Sequence, residues 1–556
     1  MSVFIGYPSF MAYQMMKGKK GNNDDDGFPS IPGMIARYSA LDLTNEQMAA
    51  NPVWHDKTGN GHDLQMKNFA WGGMSGVGGY KYNFLSNGWS VDVNQTSVAL
   101  SHKIVIINKR TSVQLIKSIR NELENTINIT LKVTGLEANG SVFKIYDSVG
   151  SSHAQEYNKD GIYQINYTAT EGANRIYFYA PGGNMGQLEN PITIEQLPLY
   201  PGALVFDGVN DCGTCDNFPV LTKEKGYTVV ALRQWDQDFL NTTLTGGLLS
   251  TRNYSTGEGV AFEKIESSHK GYWNLGVGGI IDFAKSPFTW QTSKQYNNVG
   301  ILKGAKNHGK PLCVGCGLSG GQQCGRFAIW ELVILDHDAT EEELNKIKDY
   351  FVKTYPWLFL DQAWTVVGKT NEDEDRATIA NITGNGNDLV CLNLGFIEGS
   401  GYNEEGEYAG YLVTDGADDK ITSSTFEMGN DWTVIGDWEL INTGKNDNAG
   451  IIKFNSIVIY NYNPILINIK NGRNNLIPNQ HTVNAICSDG RIYSKDWKES
   501  IYNEETESTS KNPLTIGYSG NIYTKIAFRN LAIYPTVLSK EDCIKAYNYL
   551  QTLKAK

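Results

Sequence analysis

Residues 327–351, FAIWELVILDHDATEEELNKIKDYF, and residues 526–550, IAFRNLAIYPTVLSKEDCIKAYNYL, align without a gap. Each opens on a run rich in branched and aromatic side chains, which predicts a strand. Each then turns into a charged stretch with apolar residues at helical spacing: Leu344, Ile347 and Phe351 in one, Ile544, Tyr547 and Leu550 in the other. Thr340 and Ser539 stand at the N-cap, and Glu343 and Asp542 follow three residues later as capping-box partners. A strand running into a short helix therefore occurs twice, and the chain reads as a duplication.

Three further blocks recur in the same order upstream. TNEQMAANPVWHDKTGNGHDL (44–64) matches TNEDEDRATIANITGNGNDL (370–389), each ending in a Thr-Gly-Asn-Gly turn, at 58–61 and 383–386. GALVFDGVNDCG (202–213) matches GYLVTDGADDKI (410–421), where Asp207-Gly208 and Asp415-Gly416 supply turn chemistry. GYTVVALRQW (226–235) matches DWTVIGDWEL (431–440), a period-two strand pattern. The first copy holds an insert between its first two blocks, placed at 92–198. It contains the strand-like runs KIVIINK, TINITLKVTG, SVFKIYDS, GIYQINYTA and NRIYFYAP, and one helix is expected near SVQLIKSIRNELEN (112–125).

The expected organisation is thus all-β. An N-terminal segment and linker (1–33) precedes a discontinuous first sandwich (34–91 plus 199–360), an inserted small β-sandwich (92–198) and a second sandwich (361–556), with each large sandwich ending in a short helix. Composition agrees, since 58 glycines, 30 tyrosines and only 19% charged residues suit many strands joined by tight turns. The formal charge of -12 argues against a nucleic-acid partner, which needs clustered Lys and Arg. No apolar run is long enough to span a membrane. In MSVFIGYPSFMAYQMMKGKK the lysines Lys17, Lys19 and Lys20 follow the apolar stretch, contrary to a secretory signal, so synthesis in the cytoplasm is expected. Eight cysteines in 556 residues are too few for a disulfide scaffold, and reduced thiols are the default.

No residue is assigned as catalytic, cofactor-binding or metal-ligating. Asp437 and Glu439 flank Trp438 as paired carboxylates of a glycosidase strand would, but Asn442 stands where a third acid belongs. The first copy has Leu232 and Gln234 there, while Asp373, Glu374 and Asp375 read as a solvated run. Motifs for a phosphate loop or a zinc protease are absent from the sequence. Two metal readings stay open. Asp207, Asp211, Asp415, Asp418 and Asp419 could offer oxygens to calcium, or simply form turns. Cys212 with Cys215 and Cys313 with Cys316 form two CxxC pairs, followed by Cys324; they could converge on zinc or be buried free thiols. The second copy has Lys420, Ser423, Thr515 and Tyr518 at those four positions. Trp235, Trp273, Trp290, Trp432 and Trp438 are candidate stacking surfaces for sugars, with core packing as the alternative.

The runs LVFDGVNDCG, TVVALRQW and PLCVGCG (311–317) with the closing strand and helix, and their counterparts LVTDGADD, WTVIGDWEL and PLTIGYSG (513–520), resemble the laminin-G-like jelly roll of the concanavalin A-like lectin and glucanase superfamily. The tandem TNE-to-TGNG block also resembles virion and prophage proteins of phages infecting gut Bacteroidales, including crAss-like phages. That resemblance implies a non-enzymatic virion structural protein of fibre or decoration type, oligomeric and without a cofactor. It would bind host-surface glycans or neighbouring virion proteins and attach through the N-terminal segment. A bacterial adhesin or lectin, or a polysaccharide depolymerase, are the rival readings.

Overall fold

The computed structural model describes residues 26–84, 89–91, 97–99, 101–108, 113–118, 126–180, 187–219, 221, 226–251, 261–264, 270–273, 280–282, 287–292, 312–318, 322–404, 408–426, 429–441, 449–454, 457–461, 465–469, 472–477, 483–501, 512–519 and 522–555. Of the N-terminal segment 1–33, residues 1–25 lie outside them. The protein is all-β, with two jelly-roll sandwiches built to one plan.

The strand Arg326–Leu335 centres one sheet of the first sandwich. One edge pairs antiparallel with Thr228–Trp235, and the other takes Met34–Ser39 and Leu204–Asp207 end to end. Ile526–Tyr534 does the same in the second, between Thr433–Leu440 on one side and Gln362–Thr365 with Leu412–Val413 on the other. Arg326–Leu335 is buried from Phe327 onward, because the opposite sheet covers one face and the closing helix the other. That two-sided burial is why the sequence shows a continuous apolar run and not an alternation.

The opposite sheets also match strand for strand. The first runs Val53–Trp54, Leu64–Lys67, Cys212–Cys215, Leu312–Val314, Gly246–Ser250, Ala261–Lys264, Lys270–Trp273, Ile280–Asp282. The second runs Thr378–Ile379, Leu389–Leu392, Lys420–Phe426, Asn512–Ile516, Ala449–Phe454, Ile457–Asn461, Ile465–Ile469, Gly472–Ile477. Register is kept as well: Thr214 faces Cys313 as Thr422 faces Thr515, and Cys212 faces Lys67 as Lys420 faces Leu392. The Thr-Gly-Asn-Gly turns are pinned alike. Asn60 donates through Nδ2 to the Ile35 carbonyl at 2.8 Å, and Asn385 to that of Asp361 at 2.6 Å. Gly59, Gly61, Gly384 and Gly386 take φ between 77° and 80°, which L side chains avoid.

Strands between Trp89 and Gln196 pair only with one another among the described residues, in two five-stranded sheets around Ile129, Leu131, Phe143, Ile145 and Phe178. The expected helix near 112–125 is corrected: Val113–Ser118 is a strand, paired with Arg175–Ala180 and Trp89–Val91, and residues 119–125 lie outside the described set. Val113, Leu115 and Ile116 fit either period in so short a run, and pairing on both edges decides it.

Glu341–Thr354 and Lys540–Leu550 are the closing helices. The first has a complete capping box: Thr340 Oγ1 accepts from the Glu343 amide at 3.3 Å, and Glu343 Oε2 accepts from the Thr340 amide at 2.8 Å. Thr340→Ala should therefore lower stability by about 1 kcal/mol, read as a shifted urea midpoint at unchanged slope. The second helix buries a wider face than the expected stripe, including Cys543, Ala546 and Tyr549. It is held between the two lobes: Tyr549 donates to Gln234 Oε1 at 2.9 Å and its ring edge meets Trp330 at 6.4 Å. One hydrophobic cluster accordingly joins Val230, Trp330 and Phe351 of the first lobe to Ile435, Tyr534 and Tyr547 of the second.

Candidate functional site

A cleft of about 430 Å³ opens between the insert and the second jelly roll. One wall is the turn that carries the chain from the end of Gly150–Tyr157 in one sheet of the insert to the start of Gly161–Thr168 in the other, bringing Gln155, Tyr157, Asp160 and Tyr163. The other is Glu439 at the end of its strand with Lys495, Asp496 and Lys498 from a tight turn. Trp497 explains that turn. It takes φ 58°, is buried, and packs 5.6 Å from the Tyr547 ring, so its neighbours Asp496 and Lys498 are turned toward the opening.

Tyr157 and Tyr163 stand as a half-buried pair with centroids 4.4 Å apart. Their hydroxyls are fixed: Tyr163 donates to the Lys159 carbonyl at 2.5 Å and Tyr157 to Gln155 Oε1 at 3.2 Å. Burial pushes Tyr163 up to about 12 and Tyr157 higher, so both stay neutral in the physiological range. Across the cleft Lys495 pairs with Glu439 and Lys498 with Asp496, each at 3.3 Å. Asp160 is committed to structure, accepting the Gly135 and Leu136 amides at 2.9 and 2.7 Å. Aromatic faces beside amides, ammonium groups and carboxylates are the means by which a protein stacks on a pyranose and hydrogen-bonds its hydroxyls.

Among the described residues, three of the candidate tryptophans do not supply such a surface. Trp235, Trp432 and Trp438 are buried in the sandwich cores, as alternation on a two-faced sheet requires, and the side chains of Trp273 and Trp290 lie outside the described residues. Asp437 and Glu439 part company. Asp437 is buried and accepts from the Tyr411 hydroxyl at 3.0 Å, with Arg529 beside it, whereas Glu439 reaches the cleft. Asp373 accepts the Thr370 amide at 2.9 Å and Asp375 pairs with Lys369, both within one loop.

The Asp-Gly turns share one device. Asp211 accepts the Asp207 amide at 3.0 Å and the Ser75 hydroxyl at 3.1 Å; Asp419 accepts the Asp415 amide at 2.7 Å and the Ser400 hydroxyl at 2.8 Å. Carboxylate oxygens of Asp415, Asp418 and Asp419 also lie within 4.8 Å of one another. The two CxxC pairs do not converge as pairs. Cys212, Cys313, Cys316 and Cys324 form a buried cluster of their own, while Cys215 faces the sandwich core and its thiol donates to Asn217. On a strand, residues three apart point to opposite faces, so a CxxC there cannot close on one ion. Cys316 and Cys324 are joined by a disulfide, and Cys212 and Cys313 are hydrogen-bonded thiols.

No protein-family profile and no curated protein matches the chain. Among solved structures it is similar to a Trypanosoma rangeli sialidase in complex with sialic acid, at 8% identity and TM-score 0.24 over 84% of this chain and 85% of that one. It is also similar to the receptor-binding domain of botulinum neurotoxin C/D mosaic serotype, at 9% identity and TM-score 0.26 over 91% and 97%. A third is the botulinum neurotoxin serotype D ligand binding domain in complex with N-acetylneuraminic acid, at 10% and 0.22 over 60% and 87%.

Proposed function

We propose that this chain is a non-enzymatic structural and binding protein of a bacteriophage particle, of fibre or decoration type, which holds a host-surface glycan in the cleft between its insert and its second jelly roll. The observation that carries the binding part is the Tyr157–Tyr163 pair facing Glu439, Lys495 and Lys498. The virion part rests on the resemblance of the repeated blocks to phage proteins, with residues 1–33 as the attachment segment and linker. Oligomeric assembly in the virion belongs to the same reading. No helix among the described residues is long and apolar enough to cross a membrane.

Purified protein should bind immobilised host surface polysaccharide, and Tyr163→Ala should weaken that binding at least tenfold (about 1.4 kcal/mol) while the variant still unfolds in a cooperative transition above the assay temperature. Equal binding by the variant would remove the cleft from the proposal. Release of reducing ends from the same polysaccharide would make the chain a depolymerase. Antibody labelling of virions in negative stain tests the location, and unlabelled particles would end the phage assignment.

A further inference from the structure

Four cysteines from four strands meet in one buried cluster: Cys212 on Cys212–Cys215, Cys313 on Leu312–Val314, Cys316 on Cys316–Leu318 and Cys324 on Gln322–Cys324. None is more than 5% exposed. Cys316 and Cys324 are register partners, and the thiols of Cys212 and Cys313 lie within hydrogen-bonding distance of each other. Between Cys313 and Cys316 the chain bends at Gly315, with φ 94°, and the Cys316 amide donates back to the Cys313 sulfur. Leaving the strand in this way lets two cysteines three apart share one side, which Cys212 and Cys215 on an unbroken strand cannot do.

The second jelly roll serves as an internal control. Its counterparts of the four are Lys420, Thr515, Tyr518 and Tyr523, with Tyr518 and Tyr523 in register as Cys316 and Cys324 are. There Lys420 lies 4.7 Å over the Tyr518 ring and the two tyrosine rings are 4.9 Å apart. The flanking glycines change too: Gly213, Gly317 and Gly325 correspond to Ile421, Ser519 and Thr524. Only the bend is kept, as Gly315 and Gly517. The four cysteines and their flanking glycines are all replaced in the second copy, as is Cys215 (by Ser423), so the second lobe builds this corner without any thiol.

We infer that Cys212, Cys313, Cys316 and Cys324 form a structural zinc site, with four thiolates closing on one ion and Cys215 taking no part. Zinc accepts four thiolates at about 2.3 Å, and its structural sites are closed to solvent, as this cluster is. Two electrons from a cellular dithiol open the Cys316–Cys324 bond to two thiols, the reductant leaving as its own disulfide. Zn²⁺ then displaces the four thiol protons to solvent. The ion would tie Cys212–Cys215, Leu312–Val314 and the Cys316–Cys324 hairpin together where the second copy uses Lys420 over the Tyr518 ring, itself packed on Tyr523.

The full chain, purified under a phosphine reductant and exposed to Zn²⁺ and then dialysed, should retain one zinc per chain by elemental analysis. Co²⁺ in its place should show the intense near-ultraviolet absorption of cobalt bound to four thiolates. Cys212→Ser and Cys324→Ser should each weaken retention at least a hundredfold, while Cys215→Ser keeps it. The cobalt spectrum of the unaltered protein decides the matter if a variant fails to fold. Retention of no metal, a cobalt spectrum without thiolate bands, a Cys212–Cys313 disulfide in protein made and kept under reductant, or loss of zinc from Cys215→Ser would each overturn the assignment.

Discussion

Replacing Arg37 by methionine should lower the free energy of unfolding by about 3–5 kcal/mol. Arg37 is 4% exposed and Glu331 fully buried, and they meet through two bonds of 3.1 and 3.2 Å. Tyr355 donates to the same carboxylate at 2.8 Å, Asp26 reaches the guanidinium at 2.8 Å, and the Phe28 ring lies 3.9 Å beneath it. Removing the arginine strands a carboxylate in the shared core, whereas Arg37→Met with Glu331→Leu removes both charges and should recover most of the loss. The sign with pH follows. Burial raises the Glu331 pKa and Arg37 opposes that rise. Without Arg37, the folded state holds a proton over a pH range where the unfolded chain has released it, so the single variant loses stability as pH rises through that range. Urea midpoints of the single variant at pH 5 and pH 8 should therefore differ more than those of the double variant. A constant gap would mean the carboxylate is not stranded.

Trp330→Ala is the second large effect, expected at about 3–5 kcal/mol. The indole is fully buried, donates to the Pro201 carbonyl at 2.8 Å, and packs between Tyr200 and Tyr549 at 6.4 Å each. Tyr549 belongs to the other lobe, and Lys554 of its C-terminal turn pairs with Asp238 of the first. A cavity at Trp330 should therefore lower the unfolding of both sandwiches together. Calorimetry should show one displaced transition. A shift confined to one of two transitions would mean the lobes are energetically separate.

Much of the fold could be read from the repeat, because a duplicated fold writes its turns and caps twice. The alignment of residues 327–351 with 526–550 placed both central strands and both capped helices, since N-caps and apolar spacing are local signals. The cleft was not legible. Tyr163 and Lys495 are far apart in sequence, and nothing local says that Tyr157 and Tyr163, on strands of different sheets, meet facing the second lobe. The cysteines were legible in part. Their spacing drew attention to Cys215, which strand geometry turns away, and passed over the pairing of Cys324 with Cys316, which only the hairpin register reveals. Tyr549 on the second helix was missed for another reason: its partner, Trp330, lies across a lobe boundary that helical periodicity does not record.

The insert leaves the first jelly roll after Gly76–Val77 and rejoins it at Leu204–Asp207, two strands paired with each other. Its two chain ends run side by side, Gly78 donating to Ala203 and Tyr200 to Gly78, each at 2.8 Å. In the second copy Gly401–Tyr402 and Leu412–Val413 make the same pairing, and a short loop closes it. One hairpin position therefore serves as a socket, plain in one lobe and loaded in the other. Any module whose termini lie that close together can be carried there without disturbing the host sheets.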